Sequence, residues 1–189
     1  SRVVAVLLEV LQGEGGIRPS DIEYLKALRK LCDDRGWLLM IDEVQSGIGR
    51  TGKWLAHQWA DILPDVVVFA KGLGGGVPIG AIGARGPAAN VLGPGSHGTT
   101  FGGGPLVCAA GLAVFGAMEE EKLLENAATV GAYLKANLEK ELKGTPGVVE
   151  VRGQGLMLGI ELEKPCGELV TQALDAGLLI NVTQIGRAS

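Results

Sequence analysis

The stretch WLLMIDEVQSGIGRTGKWLAHQWADILPDVVVFAKGLGGGVPIG, residues 37–80, decides how the rest of the chain is read. It holds two apolar runs, 37–41 and 66–70, each as long as a fully buried strand and each preceded by turn or helix-stop residues. The first run ends on Asp42 and Glu43, the second on Lys71. Between them lies room for a turn, a short helix around residues 54–59 and a return loop through Leu63, Pro64 and Asp65. That is the length of a parallel crossover, so both strands are expected to point the same way and finish at one sheet edge. Asp42 and Lys71 then project from neighbouring carboxyl ends, where open α/β sheets bind their ligands.

An amine leaving an apolar strand is expected to be partly desolvated and so available to attack a carbonyl. A carboxylate one strand away can hold a protonated ring nitrogen. Together they suit pyridoxal 5'-phosphate, with Lys71 forming the imine and Asp42 keeping the pyridine ring protonated as an electron sink. The same pair also reads as a strand-end salt bridge, since ion-pair networks place such residues together too.

Further blocks narrow the choice. IDEVQSGIGRTG and FAKGLGGGVPIGA, with LLEVLQGEGG upstream and SHGTTFGGGPL, VRGQGLMLGIEL and GLLINVT downstream, resemble the class III, fold-type I pyridoxal-phosphate aminotransferases in the right order over nearly the whole chain. Within that family the nearest likeness is to the acetylornithine aminotransferases. The resemblance implies an α/β fold, with a mostly parallel sheet core of a large domain followed by a small α+β C-terminal domain, both incomplete. It implies amino transfer from N2-acetylornithine to 2-oxoglutarate in arginine biosynthesis, with ornithine, succinylornithine and 4-aminobutyrate as alternative donors.

Site residues follow by the same resemblance. Lys71 and Asp42 are the catalytic pair and hold the cofactor. Gln45 resembles the side chain that bonds the ring's phenolic oxygen. Thr100 resembles the threonine that reaches across a homodimer interface to the partner's cofactor phosphate. Glu14 resembles a gating glutamate that swings aside for the second substrate, and Glu9 the strand-end glutamate nearby. From the residues alone, Gln45 and Glu14 equally suit solvated loops and Thr100 a turn. Val10 stands where many members have proline, and Gly104 where asparagine is usual in GGNP.

Composition agrees with a tightly turned α/β protein: 189 residues, 47% apolar, 4% aromatic, with 31 dispersed glycines. A formal charge of −4 without a basic block argues against nucleic acid as the main partner. Cys32, Cys108 and Cys166 are widely spaced and in no metal-like pattern, so they are read as reduced core or surface thiols of a cytoplasmic protein. No apolar run reaches membrane-spanning length, and the first residues do not form a signal peptide.

Along the chain, residues 2–9 are expected to form an apolar strand buried on both faces. A helix follows, capped by Ser20 with Glu23, striped by Ile22, Leu25, Leu28 and Leu31, and stopped by Gly36. Residues 47–52, GIGRTG, fit G-x-G-x-x-G, which opens a rival reading as a non-catalytic dinucleotide-binding module. That motif needs a strand immediately before it and a helix on its third glycine, and neither is legible, so a turn is the better reading. The glycines of 72–76 let the backbone bend behind Lys71. Glu43 is expected to tie down backbone, and His97 to be hydrogen-bonded scaffold.

Residues 78–84 read as a strand, 106–118 as a buried helix and 122–143 as an amphipathic one. Strands at 148–151 and 156–162, a helix at 166–176 and a last strand at 178–182 complete the chain. The composition shift near Lys122 divides a large-domain part, 1–121, from a small-domain part, 122–189. The chain begins and stops close to strands, which reads as a piece of something longer. The family likeness ends at Thr183, and Arg187 stands about two positions short of the expected carboxylate-binding arginine, a displacement of ~6–7 Å along a strand. That role is therefore not given to Arg187, and the chain alone is not expected to be a working transaminase.

Overall fold

The structure, a computed structural model, describes residues 2–183. In chain order its elements are β1 (Ala5–Leu8), β2 (Leu11–Gln12), β3 (Arg18–Pro19), α1 (Ile22–Arg35), β4 (Leu38–Asp42), β5 (Val66–Phe69), β6 (Ala81–Ala84), α2 (Pro105–Glu120), α3 (Leu123–Glu141), β7 (Val148–Gln154), β8 (Met157–Leu162) and α4 (Glu168–Asp175). The main sheet runs β1-β4-β5-β6. β4 pairs in parallel with both β1 and β5, and β6 closes the edge antiparallel to β5. The expected parallel crossover is present, and the short helix expected around residues 54–59 is a 3-10 turn, Ala56–Trp59.

α1 starts one residue later than the sequence suggested. Asp21, not Ser20, is the N-cap, and its carboxylate accepts from the Tyr24 backbone N–H at 2.8 Å. A charged cap also faces the positive end of the helix dipole, which a serine does not exploit. Gly36 ends the helix in the left-handed region, φ 65°. Leu25, Leu28 and Cys32 form the buried stripe, whereas Ile22 and Leu31 are exposed. This stripe packs in one core with Leu39 and Ile41 of β4, both fully buried. Burying each such side chain contributes about 1.5–3 kcal/mol.

Three expectations of burial fail on the remaining faces. β4 alternates, with Leu38, Met40 and Asp42 only half covered, and Val4 just before β1 and Leu7 within it are exposed. α2 buries Gly111 and Met118 while Leu106 and Leu112 stay open. An apolar run identifies surface that can be buried, and the described residues supply cover for only one side of it. Residues 178–182, expected as a last strand, form none and pair with no strand among the described residues. Leu179 there is fully open to solvent.

The second half of the chain returns to the first. β7 and β8 make an antiparallel ribbon, on which α3 packs. The GIGRTG loop is where this half docks. Gly52 lies against Ala128 of α3, where a Cβ would meet the Ala128 Cβ at 2.8 Å, and Gly155 of the β7–β8 turn lies against the Thr51 backbone. The Leu156 N–H donates to the Arg50 carbonyl at 3.0 Å. These glycines admit a neighbouring backbone rather than a phosphate, which removes the basis for the dinucleotide reading.

Candidate active site

The register of the sheet sets the site. Asp42, the last residue of β4, stands beside Val68 of β5, and β5 ends one residue before Ala70 and Lys71. Asp42 and Lys71 therefore leave neighbouring parallel strands at the same edge. No ion pair joins them among the described residues, so the salt-bridge alternative fails. Asp42 is half buried and spends one oxygen, Oδ1, on the Val44 backbone N–H at 2.9 Å. Its other oxygen is left for a ligand.

Lys71 opens a 3-10 turn, Lys71–Gly74, with φ 43°. A side chain other than glycine in this region carries strain of about 1–3 kcal/mol, a cost that persists at sites where position matters. Lys71 is exposed, so the described residues do not supply the desolvation its strand suggested. Behind it Gly75 and Gly76 turn the chain with φ 58° and 112°. The turn rests on α2, where a Cβ on Gly75 would meet Val114 at 2.9 Å.

Gln45 and Glu14 come together. The Gln45 side-chain amide donates to the Glu14 carboxylate at 3.3 Å, and Gly13 packs so closely that a Cβ there would meet the Gln45 amide carbon at 2.5 Å. Glu9, at the end of β1, accepts from the Gly13 N–H at 2.8 Å. Three sequence-expected residues thus belong to one edge cluster beside Asp42. Thr100 does not join them. It lies in an exposed loop, and the neighbouring Thr99 hydroxyl is the one that accepts from Gly102 N–H. His97 is exposed and makes no hydrogen bond among the described residues, which corrects its reading as bonded scaffold. Arg187 lies outside the described residues.

Glu43 behaves as expected and does more. Fully buried, its carboxylate accepts from the Ala56 and His57 backbone N–H groups and the Ser46 hydroxyl, each at 2.8 Å, and from His57 Nδ1 at 3.0 Å. It staples the far end of the excursion between β4 and β5 to the residue next to Asp42. His57 was not legible as its partner, since the pairing spans a loop with no periodic signal.

At the opposite edge of the sheet, just before β5, Asp65 ties three elements together. It accepts from the Leu39 N–H and from Arg29 of α1, both at 2.8 Å, and lies 3.8 Å from Arg85 after β6. Burial works against its charge, but the Leu39 N–H and the Arg29 guanidinium outweigh it and hold its pKa below the ordinary aspartate value. An apolar cavity of about 160 Å³, lined by Val10, Leu25 and Trp59 among others, lies away from Lys71 and is no part of this edge. Among the described residues no cluster of His, Cys, Asp or Glu could hold a metal ion. All three cysteines are free, with Cys32 in the core.

Comparison with known proteins decides the family. The family model described as Aminotransferase class-III matches residues 1–187. The chain belongs to the class-III aminotransferases. It is 73% identical over 183 residues to acetylornithine aminotransferase 1 of Bordetella bronchiseptica, covering 97% of this chain and 47% of that protein. It is 51% identical over 181 residues to acetylornithine aminotransferase of Nitrosomonas europaea, covering 96% and 46%. Among solved structures, ornithine delta-aminotransferase of Plasmodium falciparum superposes with a TM-score of 0.92 at 37% identity, covering 97% of this chain and 49% of that one. Acetylornithine aminotransferase of Elizabethkingia anophelis gives 0.89 at 36% identity, covering 95% and 44%. The chain spans about half the length of the curated relatives it matches. Its sheet and ribbon are the fold-type I architecture of this family, here in part. No helix of the described residues is long and apolar enough to cross a membrane.

Proposed function

We propose that the whole protein is a pyridoxal 5'-phosphate-dependent aminotransferase that moves the amino group of N2-acetylornithine to 2-oxoglutarate, in the cytoplasm and as a step of arginine biosynthesis. The observation that carries this reading is the carboxylate of Asp42 and the amine of Lys71 on neighbouring parallel strand ends, each unpaired with the other. The 73% identity to an acetylornithine aminotransferase favours that donor over ornithine, whose structurally similar enzyme is 37% identical.

The donor set fits the cofactor. Asp42 keeps one oxygen free to accept a hydrogen bond from a protonated ring nitrogen, and Lys71 has no competing partner among the described residues. When bound, the cofactor supplies a protonated ring that withdraws electrons from the substrate Cα. Asp42 holds the proton on that ring nitrogen. Lys71 holds the cofactor covalently between turnovers and moves the proton between the substrate Cα and the cofactor C4′ atom. Gln45 donates toward the ring's phenolic oxygen, and Glu14, already within its reach, faces the incoming substrate. Thr100 serves the cofactor phosphate of a second subunit in a homodimer, which accounts for its exposure in a single chain. The cofactor-binding part ends near residue 121, and a small C-terminal domain begins at Lys122.

The enzyme at the full length of its relatives tests this. With pyridoxal phosphate it should gain a visible band that borohydride abolishes, and should form glutamate fastest with N2-acetylornithine among a panel of donors. A faster rate with ornithine or 4-aminobutyrate would reject the donor assignment. Thr100→Val should release cofactor from dimers, and unchanged retention would reject its role across the interface.

A further inference from the structure

Arg152 lies in the middle of β7, and it is nearly buried. Its guanidinium does not stay within its own ribbon. Nε donates to the carbonyls of Gly16 at 2.9 Å and Ile17 at 3.1 Å, and Nη2 donates to Gly16 again at 2.7 Å. Nη1 is held by the Glu150 carboxylate at 2.5 Å and by Glu161 of β8. Arg18 adds a second contact to Glu161 at 3.0 Å. Directly across the ribbon from Arg152 is Gly159, where a Cβ would meet the Ile17 side chain at 3.0 Å.

The carbonyls so gripped belong to the loop that carries Glu14. Gly16 has φ 98° and Ile17 has φ 53°. A β-branched residue in that region is a genuine outlier and is kept there only by its surroundings. The local bonds, from the Gly16 and Ile17 N–H groups to the Gly13 carbonyl at 3.1 and 3.2 Å, close the loop on itself, and Glu9 and the β2–β3 pair hold its first part and its ends, but none of these seats Gly16 and Ile17 against the C-terminal half. The planar fork of an arginine, held rigid by two carboxylates, does.

We propose that Arg152 is the positioning residue of the Glu14 loop. Through it the seat of the β7–β8 ribbon, in the C-terminal half of the chain, sets where Glu14 stands beside Gln45 and Asp42. The link to substrate rests on the reading of Glu14 above, whereas the clamp on the loop stands on the contacts themselves.

The test uses the full-length enzyme with Arg152→Lys. Lysine keeps the charge that Glu150 and Glu161 require, so the ribbon holds, but one ammonium cannot serve both carbonyls and both carboxylates. Hydrogen exchange of the cofactor-free protein is read at the Gly16 and Ile17 amides and, as control, in β4 and β8. Arg152→Lys should speed exchange in the loop by about tenfold or more with the controls unchanged. Unchanged loop exchange in the folded lysine variant overturns the proposal, as does uniform loosening of loop and controls together. In single-turnover half-reactions, the variant should change the ratio of rates with amino donor and 2-oxoglutarate, and should change nothing further in a Glu14→Ala background. An equal change in that background overturns the coupling to Glu14. If Glu14→Ala alone leaves both half-reactions untouched while loop exchange still responds, the clamp is supported and the substrate role of Glu14 falls.

Discussion

Replacing Glu43 tests how the site is built more sharply than replacing the residues that face it. Four donors converge on its buried carboxylate. Glu43→Leu would leave two backbone N–H groups and a hydroxyl without acceptors. At about 1–3 kcal/mol for each unsatisfied buried group, and with partial relaxation, the loss is about 3–6 kcal/mol. Glu43→Gln keeps the shape and one acceptor oxygen but turns an NH₂ group toward donors, so about 2–3 kcal/mol is expected. Asp42→Asn, one residue away, is half buried and keeps an oxygen for the Val44 N–H, so its stability should stay within about 0.5 kcal/mol of the parent. Urea unfolding followed by tryptophan fluorescence reads the difference, since Trp54 and Trp59 lie in the segment Glu43 tethers. If Glu43→Gln unfolds within about 0.5 kcal/mol of the parent, the staple is not what holds this segment.

Other substitutions separate stability from function. Lys71→Gly should raise stability by about 1 kcal/mol, because it relieves a left-handed residue, while removing all cofactor attachment; a destabilised glycine variant would show that φ 43° is not strained. Asp42→Asn should retain the cofactor yet lose turnover by ~10²-fold or more, as electrostatic support for the developing charge disappears, and turnover within a few-fold of the parent would reject that role. Asp65 has a depressed pKa when folded, so its contribution is complete above the unfolded value near ~3.9 and is lost as pH falls through the folded one. Asp65→Asn should therefore cost stability at neutral pH and flatten the decline below about pH 4, and parallel curves for parent and variant would refute the linkage.

The parallel pair bearing Asp42 and Lys71 was legible because its signals are local: two apolar runs, a crossover length between them and a charged residue closing each. Only the family resemblance singles out Glu9, Glu14 and Gln45, since a loop glutamate and a loop glutamine carry no local signal of their own; the structure brings the three together at one edge. Position within local rules was less secure. Ser20 and Asp21 are both good caps, and only the structure shows which reaches the Tyr24 N–H. Burial was overstated for β1 and α2 because an apolar sequence records what a surface can cover, not what lies opposite it. Residues 178–182 read as a strand for the same reason. Arg152 lies in the block VRGQGLMLGIEL that carries the resemblance, but its clamping role was illegible, since its partner Gly16 is 136 residues away and nothing in the alternation of β7 marks one side chain as a clamp.

The proposed roles of Lys71 and Asp42 as a cofactor-binding pair in amino transfer are open to a direct spectroscopic test. In the full-length enzyme, spectra are recorded with pyridoxal phosphate before and after adding N2-acetylornithine, for the parent and for Lys71→Ala. The parent should show a visible band that borohydride removes and that the donor discharges, while a folded Lys71→Ala protein, before donor is added, should show no band that borohydride fixes to the chain. A chain-linked reducible band of the same stoichiometry in Lys71→Ala before donor is added would show that Lys71 does not hold the cofactor.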